Sequence, residues 1–228
     1  MRTVAIIPAG GSGSRSGYSV PKQFLKINGK ELIAYTLEVF QKSKLINEIV
    51  VAVHSNFFNK MKKIKNKYGI TKLKNIVEGG GERQDSVFNA LSSLELNATD
   101  LVVVHDAARP LLPQSVLTEA IKTAKAKGNA LVCIKASDTI LKSSEKEFKY
   151  LDRSEIFYVQ TPQIFQFGDL VKGFNKAYKH SFKGTDESSI MHFAGAKIFI
   201  TPGSILNYKI TTQDDIKILK QLTKSIPC

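Results

Sequence analysis

The sequence predicts an α/β protein with a mostly parallel sheet and helices on both faces, and three observations carry that expectation. Short, continuously apolar runs recur at 2–7, 48–53, 75–77, 101–105 and 130–134. Segments with helical period, about 10 to 14 residues long, stand between them. A loop rich in Gly and Ser, residues 10–17, follows the first run. Strands apolar at every position are buried on both faces, as they are when helices cover a parallel sheet through right-handed crossovers.

In chain order, Arg-Thr-Val-Ala-Ile-Ile at 2–7 reads as a buried strand, and Leu32, Tyr35, Val39 and Phe40 mark a helix over 31–43 by their i, i+3, i+7, i+8 spacing. After the strand at 48–53, a lysine-rich helix has Ser55 as its N-cap, Phe57, Met61 and Ile64 on its apolar face, and Gly69 past its end. The strand at 75–77, a helix at 83–94, the strand at 101–105, a helix at 115–127 closed by Gly128, and the strand at 130–134 continue the alternation. Residues 137–154 break it, with charges, a turn at Ser143-Ser144-Glu145 and alternating Ile140, Phe148, Tyr150 and Leu151. They read as a protruding β-hairpin arm. A helix at 167–178, a short one opened by Thr185-Asp186-Glu187, a strand at 197–201 and a helix capped by Thr212, with Asp215 three residues on, complete the chain. No linker or repeat divides it, so 1–228 is expected to be a single domain.

Composition sets limits on function. With 43% hydrophobic and 23% charged residues, the chain has the make-up of a soluble globular protein. No apolar run approaches the roughly 18 to 20 residues of a membrane span, and Met1 leads almost directly into a strand without a signal or transit region. The expected address is the cytoplasm. Cys133 and Cys228 are too few for a disulfide framework and lack zinc spacing. The net charge of +13, from 33 Lys and Arg against 20 Asp and Glu, suits nucleic acid or substrates with several phosphates. The densest basic block, seven lysines within 60–74, reads as the wet face of an amphipathic helix.

Pro8-Ala9-Gly10-Gly11-Ser12-Gly13-Ser14-Arg15 occupies the place where a first loop lets backbone N–H groups approach phosphates. The dinucleotide pattern GxGxxG nearly fits from Gly11, but its third glycine would be Ser16, and His54 stands where an acid should hold a ribose. The Gly-Lys-Ser/Thr ending of a P-loop is missing too. Both readings are set aside. Arg15 and Lys22, in Pro21-Lys22-Gln23, follow the loop without a local acidic neighbour.

This loop and Pro21-Lys22-Gln23 resemble the signature of nucleotidyltransferases that make sugar or polyol nucleotides. Four further stretches narrow the resemblance: Gly79-Gly80-Gly81-Glu82-Arg83-Gln84-Asp85-Ser86-Val87, His105-Asp106-Ala107-Ala108-Arg109-Pro110, Gln160-Thr161-Pro162-Gln163, and Asn207-Tyr208-Lys209-Ile210-Thr211 with Thr185-Asp186-Glu187 upstream. By order and spacing, over essentially the whole chain, they resemble the polyol-phosphate cytidylyltransferase family, in particular its 2-C-methyl-D-erythritol 4-phosphate members. Pro8, Gly81, Lys135-Ala136 and Tyr208 depart from that pattern. Lys135-Ala136, on the polyol side, keeps ribitol-5-phosphate cytidylyltransferase open as the alternative. A basic nucleic-acid-binding module is the alternative from another class, although no RNP1-like run, KH loop in context or zinc finger is present.

The resemblance implies a Rossmann-like sheet of the nucleotide-diphospho-sugar transferase type. It implies attack by a polyol phosphate on the α-phosphorus of CTP, with Mg²⁺ as cofactor and a homodimer that exchanges the 137–154 arm. Arg15 and Lys22 would stabilise the triphosphate and transition state, and Lys209 and Arg153 would aim the polyol phosphate. Pro8, Ala9, Gly10, Gly11, Gly80, Gly81, Ser86 and Asp106 would bind the nucleotide. Asp106, Arg109, Thr139, Arg153, Thr161, Thr185 and Lys209 would line the polyol pocket, with Thr185 equally readable as a helix cap. Asp106 would be the carboxylate nearest the metal. Neighbouring residues on a strand face opposite ways, so His105 and Asp106 are not expected to act as a dyad.

Overall fold

The computed structural model describes residues 1–11, 20–145 and 147–224. The chain opens with β1 (Thr3–Pro8), and a 3-10 turn at Lys22–Phe24 leads through the small pair β2 (Lys26–Ile27) and β3 (Lys30–Glu31) into α1 (Leu32–Lys42). β4 (Glu48–Val53), α2 (Phe58–Lys67), β5 (Leu73–Glu78) and α3 (Arg83–Ser92) come next. β6 (Leu101–Val104), α4 (Gln114–Lys127) and β7 (Asn129–Lys135) continue the alternation. β8 (Ile140–Ser143) pairs antiparallel with β9 (Phe148–Leu151) as the expected arm. β10 (Phe157–Gln166), α5 (Phe167–Lys179), α6 (Glu187–Phe193), β11 (Ile200–Pro202) and α7 (Gln213–Leu222) follow.

Among the described residues the main sheet has seven strands in the order β5-β4-β1-β6-β10-β7-β11. β5, β4, β1 and β6 are mutually parallel, whereas β10 is antiparallel to both β6 and β7. From β1 the chain first builds outward to β4 and β5, then returns to lay β6 on the other side of β1. The carboxyl ends of β1 and β6 therefore border the crevice where open α/β sheets bind ligands.

The apolar strands work by strict alternation. Ala5, Ile7, Ile49, Val51, Val53, Leu101 and Val103 join the core under α1, α2 and α4; Val4, Ile6, Val50, Ala52, Val102 and Val104 join the one under α3, α5 and α6. With a side-chain period of 2, each strand must be apolar throughout to fill both. A third cluster, with Ile27, Leu32, Tyr35, Ala108, Ile210, Ile216 and Leu219, packs α7 and the 207–211 segment against the loop after β6. The amide of Ile210 donates to the Ala108 carbonyl (2.8 Å), which sets Lys209 at the crevice mouth.

Three expectations are corrected, and a strand on which the sequence offered no reading, β10, lies in the middle of the sheet. Ser55 does not cap the lysine-rich helix, because residues 55–57 form a 3-10 turn capped by His54, whose Nδ1 accepts from the Asn56 amide. Thr185 does not cap α6; Asp186 does, in a capping box with Ser189. The strand expected at 197–201 is shorter and later, at Ile200–Pro202. Thr212, by contrast, caps α7 as the spacing predicts, and Gly128 closes α4 at φ 87°. Lys62, Lys63 and Lys67 of α2 are exposed, while Met61 and Ile64 are buried, so the lysine block is a solvated face. Among the described residues no helix is long and apolar enough to cross a membrane.

Candidate active site

Loops after β1, β5 and β6 meet the 209–211 segment around a cleft of about 610 Å³. That lies within the range of small-molecule sites, roughly 300 to 1,000 Å³. Its walls include Pro8 to Gly11 after β1, Lys22 and Gln23 of the 3-10 turn, Gly80 to Arg83 with Ser86 at the start of α3, Asp106 to Ala108 after β6, and Lys209 and Thr211. A second hollow, about 360 Å³, is lined by residues such as Gly128, Asn129, Lys172 and Gly195 at the start of β7. It is at the amino ends of the strands, away from the crevice.

The glycines of the cleft let two loops touch. A Cβ on Gly10 would stand 2.9 Å from the Ser86 hydroxyl, and one on Gly80 would stand 2.1 Å from Asp85 Cβ. Ser86 Oγ accepts from the Gly80 amide (3.0 Å) and donates to the Glu82 carbonyl (3.1 Å), which fixes the loop at the positive end of α3. Gln23 Nε2 donates to the carbonyls of Ala9 (2.6 Å) and Gly11 (3.0 Å), pinning the other side. Lys22 Nζ donates to the Ile210 carbonyl (2.8 Å), so its ammonium group sits where the 3-10 turn meets the 209–211 segment.

Asp106 is the electrostatic centre. Its Oδ1 receives Arg83 Nε at 3.0 Å, and its Oδ2 receives Lys209 Nζ at 3.0 Å, with Arg109 Nε at 3.6 Å. Burial works to raise the Asp106 pKa, but Arg83, Lys209 and Arg109 outweigh it and hold the carboxyl well below the usual carboxylate range. Arg83 in turn spans two acids, because its Nη1 and Nη2 donate to the two oxygens of the fully buried Glu187 at 2.7 and 3.0 Å. Burial opposes the Arg83 cation; Glu187 and Asp106 overcome it and raise its pKa. Three cations thus face two carboxylates, and Lys22 adds a further positive charge to the same cleft.

Behind Asp106 the network turns structural. The Asp106 amide donates to Thr161 Oγ1 (3.1 Å), which also meets His105 Nδ1 (3.0 Å), while His105 Nε2 meets the Arg109 carbonyl (3.0 Å). Burial pulls the His105 pKa down to about 4, so the ring is neutral near pH 7 and faces the core against Phe40. It is no part of a dyad. Arg109 Nη1 donates to the Asn207 carbonyl (2.7 Å), and Asn207 Nδ2 donates to Gln160 Oε1 (3.1 Å) and the Thr161 carbonyl (2.7 Å). The register of β10 on β7 shifts between Val159 and Gln163, the stretch that carries Gln160 and Thr161.

The sequence profile of the 2-C-methyl-D-erythritol 4-phosphate cytidylyltransferase family matches residues 3–224. The chain belongs to that family. A relative of that name from Clostridium acetobutylicum is 41% identical over 223 residues, covering 96% of each chain. The crystal structure of the Francisella tularensis 2-C-methyl-D-erythritol 4-phosphate cytidylyltransferase superposes with a TM-score of 0.83 at 31% identity, covering 97% of this chain and 99% of that one. That of a 4-diphosphocytidyl-2C-methyl-D-erythritol synthase from Anaerococcus prevotii gives 0.85 at 27% identity, covering 97% and 95%. These names favour the methylerythritol member over its ribitol alternative, and the family match displaces the nucleic-acid-binding module.

Of the residues that resemblance assigned, Pro8, Ala9, Gly10, Gly11, Lys22, Gly80, Gly81, Ser86, Asp106 and Lys209 line the one cleft. Arg109 and Thr161 are buried and are not part of the cleft lining: Arg109 donates to the Asn207 carbonyl and pairs with Asp106, and Thr161 meets the Asp106 amide and His105. Thr139, Arg153 and Thr185 are exposed and outside the cleft lining of this single cytidylyltransferase-family chain. Arg153 Nη1 donates to the Ser137 carbonyl (2.8 Å). Arg15 lies outside the described residues. Sequence reasoning gave no role to Arg83, Gln23 or Glu187. Arg83 stood inside a quoted motif, but its partners are 23 and 104 positions away.

The glycine contacts predict a contrast. Gly80→Ala is expected to cost about 1 to 3 kcal/mol, as overpacking against backbone does, and to raise KM for CTP. Gly81→Ala meets only Asp85 Oδ2 at 3.9 Å. It should change stability by less than about 0.5 kcal/mol. Thermal unfolding and CTP saturation curves on the two variants check this; equal behaviour would refute the loop-contact argument.

Proposed function

We propose that this cleft transfers a cytidylyl group from CTP to 2-C-methyl-D-erythritol 4-phosphate, and that the chain works as a cytoplasmic, Mg²⁺-dependent homodimer. The products are 4-diphosphocytidyl-2-C-methyl-D-erythritol and pyrophosphate, a step of nonmevalonate isoprenoid synthesis. The observation that carries the reading is the convergence, in a chain of this family, of two glycine loops and an Asp106-centred cation cluster on one crevice.

A phosphate oxygen of the polyol phosphate forms the new bond to the α-phosphorus of CTP, and the α–β bridging bond breaks with its electrons leaving on pyrophosphate. The nucleophile is already anionic near neutral pH, so no general base is needed. What the chain must supply is placement and positive charge. Pro8 to Gly11 and Gly80 to Ser86 hold base and ribose, largely through backbone groups. Lys22 leaves the Ile210 carbonyl for the triphosphate and the charge that grows in the transition state, with Arg15 as its companion. Lys209, 41% exposed at its side chain, grips the polyol phosphate.

Asp106 fits Mg²⁺ as a single protein ligand. It is ionised and reaches the cleft, and a carboxylate offers about four lone-pair directions, of which three cations take part. The remaining ligands would be phosphate oxygens and water, as this ion prefers. When bound, the ion supplies charge neutralisation on the triphosphate.

The arm supports the dimer. Phe148 and Tyr150 are 68% and 65% exposed, and Leu141 is exposed beside them. Such aromatic exposure calls for a cover, and exchange across a two-fold axis would bring Arg153 and Thr139 to the partner's cleft.

Pyrophosphate release tests the reading. CTP with methylerythritol phosphate should be turned over at least about tenfold faster than UTP or ATP with the same acceptor, and faster than CTP with ribitol 5-phosphate, since a site built to pair a base's polar groups rejects one that leaves them unpaired. Comparable rates with all nucleotides would overturn the base assignment, and preference for ribitol phosphate would move the chain to the sister activity.

A further inference from the structure

We propose that Glu187 is a positioning residue for this reaction: through the rigid guanidinium of Arg83 it fixes where Asp106 points in the cleft. The inference rests on the functional reading above. Among the described residues α6 lends no side chain to the cleft wall, so Glu187 acts only through another group.

The geometry is a three-part clamp. Glu187 is fully buried, and both of its oxygens are taken by Arg83. A planar guanidinium held by two bonds at one edge cannot turn, so its Nε–H is aimed, and it is aimed at Asp106 Oδ1. Oδ2 is then left for Lys209 and, farther off, Arg109. Glu187 is itself held from the sheet. Gln163 of β10 accepts from the Ser188 amide (2.7 Å) and donates to Asp186 Oδ2 (2.8 Å), which seats the first turn of α6. Two residues earlier on β10, Thr161 takes the Asp106 amide. Asp106 is thereby fixed at its backbone and at its carboxylate from one strand. In Glu187→Gln the paired hold on Arg83 is lost, so Arg83 can turn on Asp106 and draw that carboxylate away from the substrates.

The test is a cycle of Glu187→Gln, Asp106→Asn and the double variant, with Glu187→Asp as the variant that keeps the buried charge but shortens its reach. Pyrophosphate release is followed in single turnover with enzyme in excess, which keeps losses of about 10⁵-fold measurable, and melting temperatures are recorded alongside. Glu187→Gln should lower the rate of the bound complex by about 10 to 100-fold, as loss of an orienting partner does, with KM for CTP changed less than about threefold. On the Asp106→Asn background the same substitution should cost less than about threefold, because the group it orients is gone. Should Glu187→Gln fail to fold, Glu187→Asp is read by the same comparison. A purely structural Glu187 would give equal losses on both backgrounds, and that result overturns the proposal, as does a single variant within twofold of the parent. An unaltered chain without CTP-dependent pyrophosphate release would instead refute the functional reading itself.

Discussion

Lys22→Ala is expected to lower turnover by about 10² to 10³-fold, the loss seen when one preorganised donor to developing negative charge is removed. The site already carries Arg83 and Arg109, paired with Asp106 or Glu187, and Lys209, which is assigned to the polyol phosphate rather than to the triphosphate. Lys22 lines the cleft beside the 209–211 segment and donates to the Ile210 carbonyl, an acceptor that a phosphate can displace. The loss should fall mainly on kcat, because charge on the leaving pyrophosphate grows only as the bond breaks. Folding should suffer little: among the described contacts the substitution forfeits a half-buried, charge-assisted bond to Ile210, worth roughly 1 kcal/mol after screening. A second variant separates the two roles. Lys22→Gln keeps a donor for the Ile210 carbonyl without the charge, so it should melt close to the parent and remain as inactive as alanine. Steady-state pyrophosphate release and thermal unfolding decide it; a fall of less than about threefold for Lys22→Ala would remove Lys22 from the catalytic role.

What was legible in the sequence was what local pattern encodes. The continuous apolar runs at β1, β4, β6 and β7 declared strands buried on both faces, and Thr212 with Asp215 declared a helix start, because an N-cap needs only partners three residues apart. β10 was illegible for the opposite reason. Gln160, Thr161, Pro162 and Gln163 look like a loop, yet Gln160, Thr161 and Gln163 are buried and satisfied by Asn207, His105 and Asp186, which come from three other parts of the chain. The site divides in the same way. Gly10, Gly80, Lys22 and Lys209 are in short motifs that resemblance could place, whereas the Arg83–Glu187 pair exists only once α3 and α6 meet across the sheet face.

Mixed dimers of two inactive variants are expected to regain about a quarter of the parent activity, if the arm is exchanged as proposed. In its own chain Arg153 is exposed, bonded to the Ser137 carbonyl and outside the cleft lining. Lys22 belongs to the body and lines the cleft directly. If each site joins one chain's body to the other chain's arm, Arg153→Ala damages the partner's site and Lys22→Ala damages its own. A heterodimer of the two then has one site with intact body and intact arm, and one with both defects. Random assortment makes about half the dimers mixed, and half of their sites are whole. The experiment unfolds and refolds the variants together, counts mixed dimers by native mass spectrometry and follows pyrophosphate release. Activity should rise in proportion to the mixed fraction. Mixed dimers that stay as inactive as their parents would mean that Arg153 serves its own chain or no site, and the proposed exchange of the arm would fall with it.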